Sequence, residues 1–433
     1  MEDVREKLAA LLKSRNLMTG RQYEEQHREE IDQRATGAFD LPQVVPGEEV
    51  GGDPAFYLVR TDYPLDHMHG RLPLGAALTA MGEHIAFSAQ DAGLVDFDPA
   101  RTAFVDTETI GLAGGAGTVA FLVGVGYFID GAFRLDQCFM RDYDEEEPML
   151  AFLAERFKDM ETVVGYNSKS FDLPLLRTRF IQNRIPFRAE ACAHYDLVHA
   201  ARRFYKRRIE DCSLGNVERE VLGIQRHGDV PSHLIPQFWF DYLRTRDARP
   251  LKGVFQHHQT DILSLVTLTA WLSDCLQSGG IAGFEHAEDK LSVVRIHFRQ
   301  KNYEAVAELG RGFLDAEGAD QDTEPTRTLR LECLEMLGFA YKRLSRFDDM
   351  RQTWEWLLAE SPAHLSARLE LAKHYEHRER QLDKALALCA EALDNPARLG
   401  AAIATGELRE RHDRIAAKLA RGMKAQGTEL LEE

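Results

Sequence analysis

Phe104-Val105-Asp106-Thr107-Glu108-Thr109 closes an apolar run with two acids. The run reads as the end of a strand, and side chains two apart on a strand point to one face. Asp106 and Glu108 can therefore reach a single site. Two more acids stand in distinct contexts: Asp172 ends Gly165-Tyr166-Asn167-Ser168-Lys169-Ser170-Phe171-Asp172, and Asp261 ends His257-His258-Gln259-Thr260-Asp261. Carboxylates held close repel one another, and burying them is costly. Divalent cations remove that penalty, and hard oxygen ligands suit Mg²⁺ or Mn²⁺. Such clusters serve in-line displacement at phosphorus.

Outward from this stretch, apolar runs predict strands at 102–107, 119–128 and 133–140, with an Asp-Gly turn signal at 130–131. A helix follows near 146–158, then a short strand at 162–166, a helix at 171–182 and a strand at 193–196. Helical patterns continue at 213–222, 236–246 and 253–276. Strands first, then alternating strand and helix, predict an α/β domain with a mixed sheet. The glycine-rich stretch 111–117 lacks the Gly-Lys-Ser/Thr of a nucleotide loop and precedes a strand, so it reads as a turn.

Each acidic motif has an ordinary alternative. Asp-x-Glu pairs are common on exposed strands, and Asp172 could simply begin a helix. His257 and Asp261, four apart, share one helix face and could form a surface hydrogen bond. On the catalytic reading, a neutral His257 takes a proton from water near neutral pH. His258, about 100° round the helix, is the second candidate for that base.

Past residue 290 the pattern is helical only. Leu337-Gly-Phe-Ala-Tyr341 recurs 34 residues later as Leu371-Ala-Lys-His-Tyr375, the period of tetratricopeptide helix pairs. A plain helix bundle is the alternative; the repeat would add a concave surface for a protein partner. The expected division is a polar, irregular segment over 1–60, an α/β domain over 61–280 and helical repeats over 288–425. The stretch Tyr63–Pro73 is irregular and mixed in chemistry.

The net charge of −17 over 433 residues argues against coating nucleic acid over a large surface, so any contact must be local. The span 177–209 offers one place, with nine Arg or Lys against Glu190 and Asp196. Six scattered cysteines without Cys-x-x-Cys read as reduced thiols in a cytoplasmic protein. The N-terminus reads as a charged helix and not a secretory signal, and no apolar run is long enough to span a bilayer. His194/His199 and His374/His377 lack the partners a zinc site requires.

In their order, Asp106-Thr107-Glu108-x-x-Gly111, Gly165 to Leu176 and His257-x-x-x-Asp261 resemble the three motifs of the DEDD 3′–5′ exonucleases. Cys212 to Val217 and Val221 to Ile224 resemble the stretch between the second and third motifs. The nearest likeness is to the YprB-type ribonuclease H-like domain, a bacterial group in which tetratricopeptide repeats commonly follow. It covers about 55–275 and the repeats. The resemblance implies an α/β ribonuclease H-like domain, a mixed central sheet flanked by helices, followed by an all-α tetratricopeptide-like domain. It implies that Asp106, Glu108, Asp172 and Asp261 bind two Mg²⁺ or Mn²⁺ ions. His257 would be the general base, and single-stranded DNA or RNA would be cut to nucleoside 5′-monophosphates. One feature departs from the pattern. The His-type branch places its base five residues before the last Asp and the Tyr-type branch four; here a His stands at four. Thr107, Asn167, Phe171, Arg177, Arg203, Lys206 and Arg207 are the expected substrate contacts. Tyr166, Phe171 and Tyr205 are candidates for base stacking. The rival functions are an inactive nuclease-fold scaffold and a structure-selective endonuclease; an intact set of four acids favours activity.

Overall fold

The computed structural model describes residues 39–111, 117–278, 280–316, 324–393 and 402–429, with side chains omitted at 402–405 and 422–429. The helix expected within 1–35 and most of the 111–117 turn lie outside the described residues. Contacts divide the chain into two compact units, one through Gln277 and one from Ser278.

The first unit is built on a seven-stranded mixed sheet. Its strands are β1 (Glu48–Gly51), β2 (Ala55–Pro64), β5 (Thr102–Thr109), β6 (Ala120–Ile129), β7 (Ala132–Phe139), β8 (Thr162–Gly165) and β9 (Ala193–Asp196). The spatial order is β1-β2-β7-β6-β5-β8-β9. β5, β8 and β9 run parallel, and the other neighbours are antiparallel. A two-stranded ribbon, β3 (Met68–His69) and β4 (Leu72–Pro73), stands apart from the sheet. The β6–β7 hairpin turns through Asp130 at φ 51° and Gly131 at φ 75°, the two positive values a tight hairpin turn requires.

The unit's helices include α1 (Gly82–Ala89), α2 (Glu146–Arg156), α3 (Asp172–Gln182), α4 (Leu197–Tyr205), α5 (Ile235–Thr245) and α6 (Leu251–Gln277). Helix α6 lies close on β6 because β6 offers glycines there. A Cβ at Gly124 would sit 2.1 Å from Ile262 Cδ1 and 2.4 Å from His258 Cε1. At Gly126 it would meet Ile262 Cγ2 at 2.9 Å. No ordinary side chain fits such gaps, so the two glycines set how near the helix bearing His257 and Asp261 comes to the strands.

Two parts depart from the expected layout. The boundary at 60 falls inside β2, which pairs with β7 from Tyr57 to Pro64. Phe56 to Val59 are all buried, so the first half of this strand is covered on both faces and shows no alternation. Helix α4 occupies the middle of the basic span. Asp196 caps it, accepting from the Val198 N–H at 3.2 Å. Leu197, Ala200, Ala201 and Phe204 form its buried stripe at helical spacing.

The second unit is all-helical over its described residues: α7 (Ala287–Arg299), α8 (Tyr303–Ala316), α9 (Glu324–Arg343), α10 (Phe347–Glu360), α11 (Leu365–His374), α12 (Leu382–Leu393) and α13 (Ala402–Glu429). Each packs on the next along the chain. None of the six cysteines is in a disulfide. No helix among the described residues is long and apolar enough to cross a membrane.

Candidate active site

Three elements bring the expected acids together. On β5, Asp106 and Glu108 share the less buried face, while Val105, Thr107 and Thr109 are buried. Asp172 is the first residue of α3, where the N-terminal dipole favours an anion. Thr107 Oγ1 donates to Asp172 Oδ1 at 2.5 Å, tying α3 to β5. His257, His258 and Asp261 come from α6. Glu108, His257 and Asp261 each offer a ligand atom, all within 4.8 Å of one another.

The electrostatics are those of acids crowded without enough counter-charge. Burial raises Asp106 well above the usual carboxylate range, and the charges of Asp261, Asp172 and Glu108 add to it. Burial also raises Glu108, to about 8, with His257 opposing and Asp261 and Asp172 reinforcing the shift. Asp172 rises to about 6 by burial, against the Thr107 hydrogen bond. Such groups gain from a bound cation, and they cluster at functional sites. Their oxygen donors, with one imidazole, fit a divalent metal of the Mg²⁺ or Mn²⁺ class.

The two adjacent histidines differ sharply. His257 Nδ1 lies 2.9 Å from both oxygens of Asp229, which fixes it as the donor. Its Nε2 faces the Ser232 hydroxyl at 3.4 Å and the acids, 3.4 Å from Asp261 Oδ2 and 4.0 Å from Glu108 Oε1. Burial acts to lower its pKa, but Asp261 and Asp229 outweigh it and raise His257 to about 9. His258 is fully buried. Its Nε2 donates to the Asp106 carbonyl at 3.1 Å, and its Nδ1 accepts from Gln137 Nε2 at 3.0 Å. Burial lowers it to about 4, so it stays neutral and braces the sheet against α6.

Three charged residues of this centre are absent from the sequence expectation. Arg226 forms two hydrogen bonds to Glu218, both 2.6 Å. It also donates to Asp229 at 3.1 Å and pairs with Asp261. One signal was legible: Glu218 stands among Val217, Val221 and Leu222, all buried, an acid at a core phase. Nothing in the sequence marks Arg226 or Asp229 as its partners.

The expected substrate contacts differ in burial and in partners. Asn167, at φ 61°, gives its backbone N–H to Asp196 Oδ1 at 2.7 Å, and Lys169 gives its own to Asp196 Oδ2 at 3.0 Å. Asp196 thus shapes the loop before Asp172, leaving the Asn167 side chain exposed and Phe171 half-buried. Thr107 is buried and bonded to Asp172, so it positions an acid and does not face substrate. Arg177 pairs with Glu190 at 2.9 Å, Arg203 donates to the Ser88 carbonyl at 2.8 Å, and Lys206 and Arg207 are exposed. Two stacking candidates are committed elsewhere: Tyr205 is buried, and the Tyr166 hydroxyl donates to the Cys212 carbonyl at 2.6 Å.

A family model described as the RNase_H superfamily matches residues 103–273, the span holding every residue of this centre. The uncharacterized protein YprB of Bacillus subtilis (strain 168) is 30% identical over 394 residues, covering 87% of this chain and 90% of that protein. With five strands of the mixed sheet under the match and the likeness running almost end to end, the chain belongs to the YprB family and carries a domain of the RNase_H nuclease superfamily.

Proposed function

We propose that the protein is a metal-dependent 3′–5′ exonuclease that hydrolyses single-stranded DNA or RNA and releases nucleoside 5′-monophosphates. The observation that carries this is the convergence of Asp106, Glu108, Asp172 and Asp261 beside Nε2 of His257. Around them, Glu218 balances Arg226 and Asp229 balances a protonated His257. Four carboxylates remain, a charge that two divalent ions match. Asp106, Glu108, Asp172 and Asp261 would hold two Mg²⁺ or Mn²⁺ ions, which when bound supply charge neutralisation at the attacking and leaving oxygens of an in-line displacement.

The protein's own groups do the rest. Asp229 holds His257 by Nδ1 and leaves Nε2 to take a proton from incoming water. Once the acids are charge-balanced, the attraction that raises His257 weakens and its neutral form becomes available. His258 is fully buried with its Nε2 committed to the Asp106 carbonyl, whereas Nε2 of His257 faces Asp261 and Glu108, which favours His257 as the base. Thr107 keeps Asp172 turned to β5. Terminal cleavage follows the motif resemblance, with Asn167 and Lys206 exposed for contact with the strand.

In the second unit, Leu337 and Tyr341 of α9 are buried like Leu371 and Tyr375 34 residues on. That supports tetratricopeptide pairing and a docked protein partner. Six cysteines outside any disulfide support a cytoplasmic location. The test uses 5′-labelled single-stranded DNA and RNA with Mn²⁺. A ladder from the 3′ end, lost in EDTA and in Asp106→Ala, is the expected result. No metal-dependent cleavage of either substrate would leave the inactive scaffold as the better reading.

A further inference from the structure

Every donor of Arg226 points to a group of the active centre. Nε and Nη2 grip the two oxygens of Glu218, Nη2 also reaches Asp261 Oδ1, and Nη1 reaches Asp229. The grip is enclosed, with the Glu218 side chain 1% exposed and that of Arg226 16%, so the pair cannot relax into water. Glu218 is pinned from its other side. Ser264 Oγ donates to Glu218 Oε1 at 2.5 Å. With its proton so placed, Ser264 accepts from His69 Nε2 at 2.8 Å. His69 belongs to the β3–β4 ribbon, the stretch with no evident role in the sequence. Its donors and those of Ser264 and Arg226 all run toward Glu218, which accepts three hydrogen bonds.

The consequence falls on Asp261. Its Oδ1 is taken by Arg226, so Oδ2 is the oxygen turned toward His257 Nε2. Asp229, held by Arg226 at 3.1 Å, orients His257 from the opposite side at 2.9 Å. We infer that Arg226 is a positioning residue: locked by Glu218, it presents Asp261 Oδ2 to the cluster and steadies the carboxylate that aims His257. Arg226 takes only Oδ1 and leaves Oδ2 as the oxygen that would serve a cation. A planar fork is needed for this, and a lysine cannot supply one. The inference rests on the metal-centre reading above.

Mn²⁺ titration calorimetry on the full chain tests it, with melting temperature in EDTA as the control. Arg226→Gln alone leaves a buried charge on Glu218 and risks misfolding, so the main variant is the paired Glu218→Gln/Arg226→Gln, which keeps the local charge. It is expected to melt within a few degrees of wild type in EDTA yet bind Mn²⁺ about 10–100-fold more weakly. Arg226→Lys, with the charge but no fork, is expected to weaken binding likewise. Wild-type affinity in either variant would overturn the inference and leave the metal centre standing. A double variant that melts far below wild type in EDTA would assign Arg226 to stability instead. Absence of Mn²⁺ binding by the wild-type chain would defeat the metal centre itself, and the inference with it.

Discussion

Glu108 and Glu376 are both enclosed glutamates, and their surroundings drive them in opposite directions. Glu108 is raised to about 8, by burial first and then, against the pull of His257, by Asp261 and Asp172. Glu376 follows α11 in a turn spanning Tyr375–Glu379, and its side chain is fully buried. Burial alone would raise it, but Arg414 at 2.9 Å, Lys418 at 2.8 Å and Arg411 hold it down at about 2. One acid has three cations of its own; the other shares a few with several acids. A carboxylate paired with fixed cations from a neighbouring helix joins elements together. Carboxylates gathered with too few cations are unfavourable until something else arrives, and that distinguishes a binding site from a structural ion pair.

The most severe way to probe the contrast is to neutralise one acid of each kind. Asp106→Asn should lower nuclease activity by at least ~10³-fold, about 4 kcal/mol on the barrier. In EDTA the same variant should melt higher than wild type, because it removes one of the repelling charges. Activity near wild type, or a lower melting temperature in EDTA, would break the comparison on that side. Glu376→Ala should move the other way. It leaves Arg411, Arg414 and Lys418 facing one another and should destabilise the helical unit by about 3 kcal/mol. Its Mn²⁺ affinity should stay at the wild-type value, as checked by denaturant unfolding and calorimetry on the full chain.

Much of the candidate site was legible because its acids sit at phases that local structure fixes. Asp106 and Glu108 are two apart on a strand, Asp172 starts a helix, and His257 and Asp261 are one helical turn apart. Period alone puts each pair on one face. The order of the motifs carried the rest of the superfamily assignment. The supporting groups were hidden because their roles exist only in three dimensions. Arg226 lies in a stretch outside helix and strand, and its partners at 218, 229 and 261 share no period. Likewise the first half of β2 lacks the alternation of a half-buried strand, since Phe56 to Val59 are covered on both faces. The basic span 177–209 shows the converse. Nearness in sequence placed its cations on two helices and two connections, where Arg177, Arg179 and Arg203 found separate partners.

The finest prediction concerns the slope of stability with pH. Between pH 6.5 and 8, in EDTA, folded Glu108 holds a proton that the unfolded chain has released above 4.5, and folded His257 holds one that the unfolded chain releases above 6.5. The native state then binds more protons than the unfolded state, so the α/β unit should lose stability as pH rises, by about 1–2 kcal/mol per pH unit. The buried histidines 69, 194 and 258, all lowered to about 4, act with the opposite sign; they offset the loss near pH 6.5, where the unfolded chain's histidines are still partly protonated, and fade by about pH 7.5, so the full slope appears only in the upper part of this window. Saturating Mn²⁺ should flatten the slope by replacing those protons. Glu376 contributes nothing in this window: its stabilisation is complete above pH 4.5 and is lost only as pH falls toward 2. Thermal unfolding from pH 6.5 to 8, with and without Mn²⁺, reads the difference directly. A metal-independent slope would mean that the charge deficit at Asp106 and Glu108 is met by something other than a cation. In that case the two regions would differ in degree and not in kind.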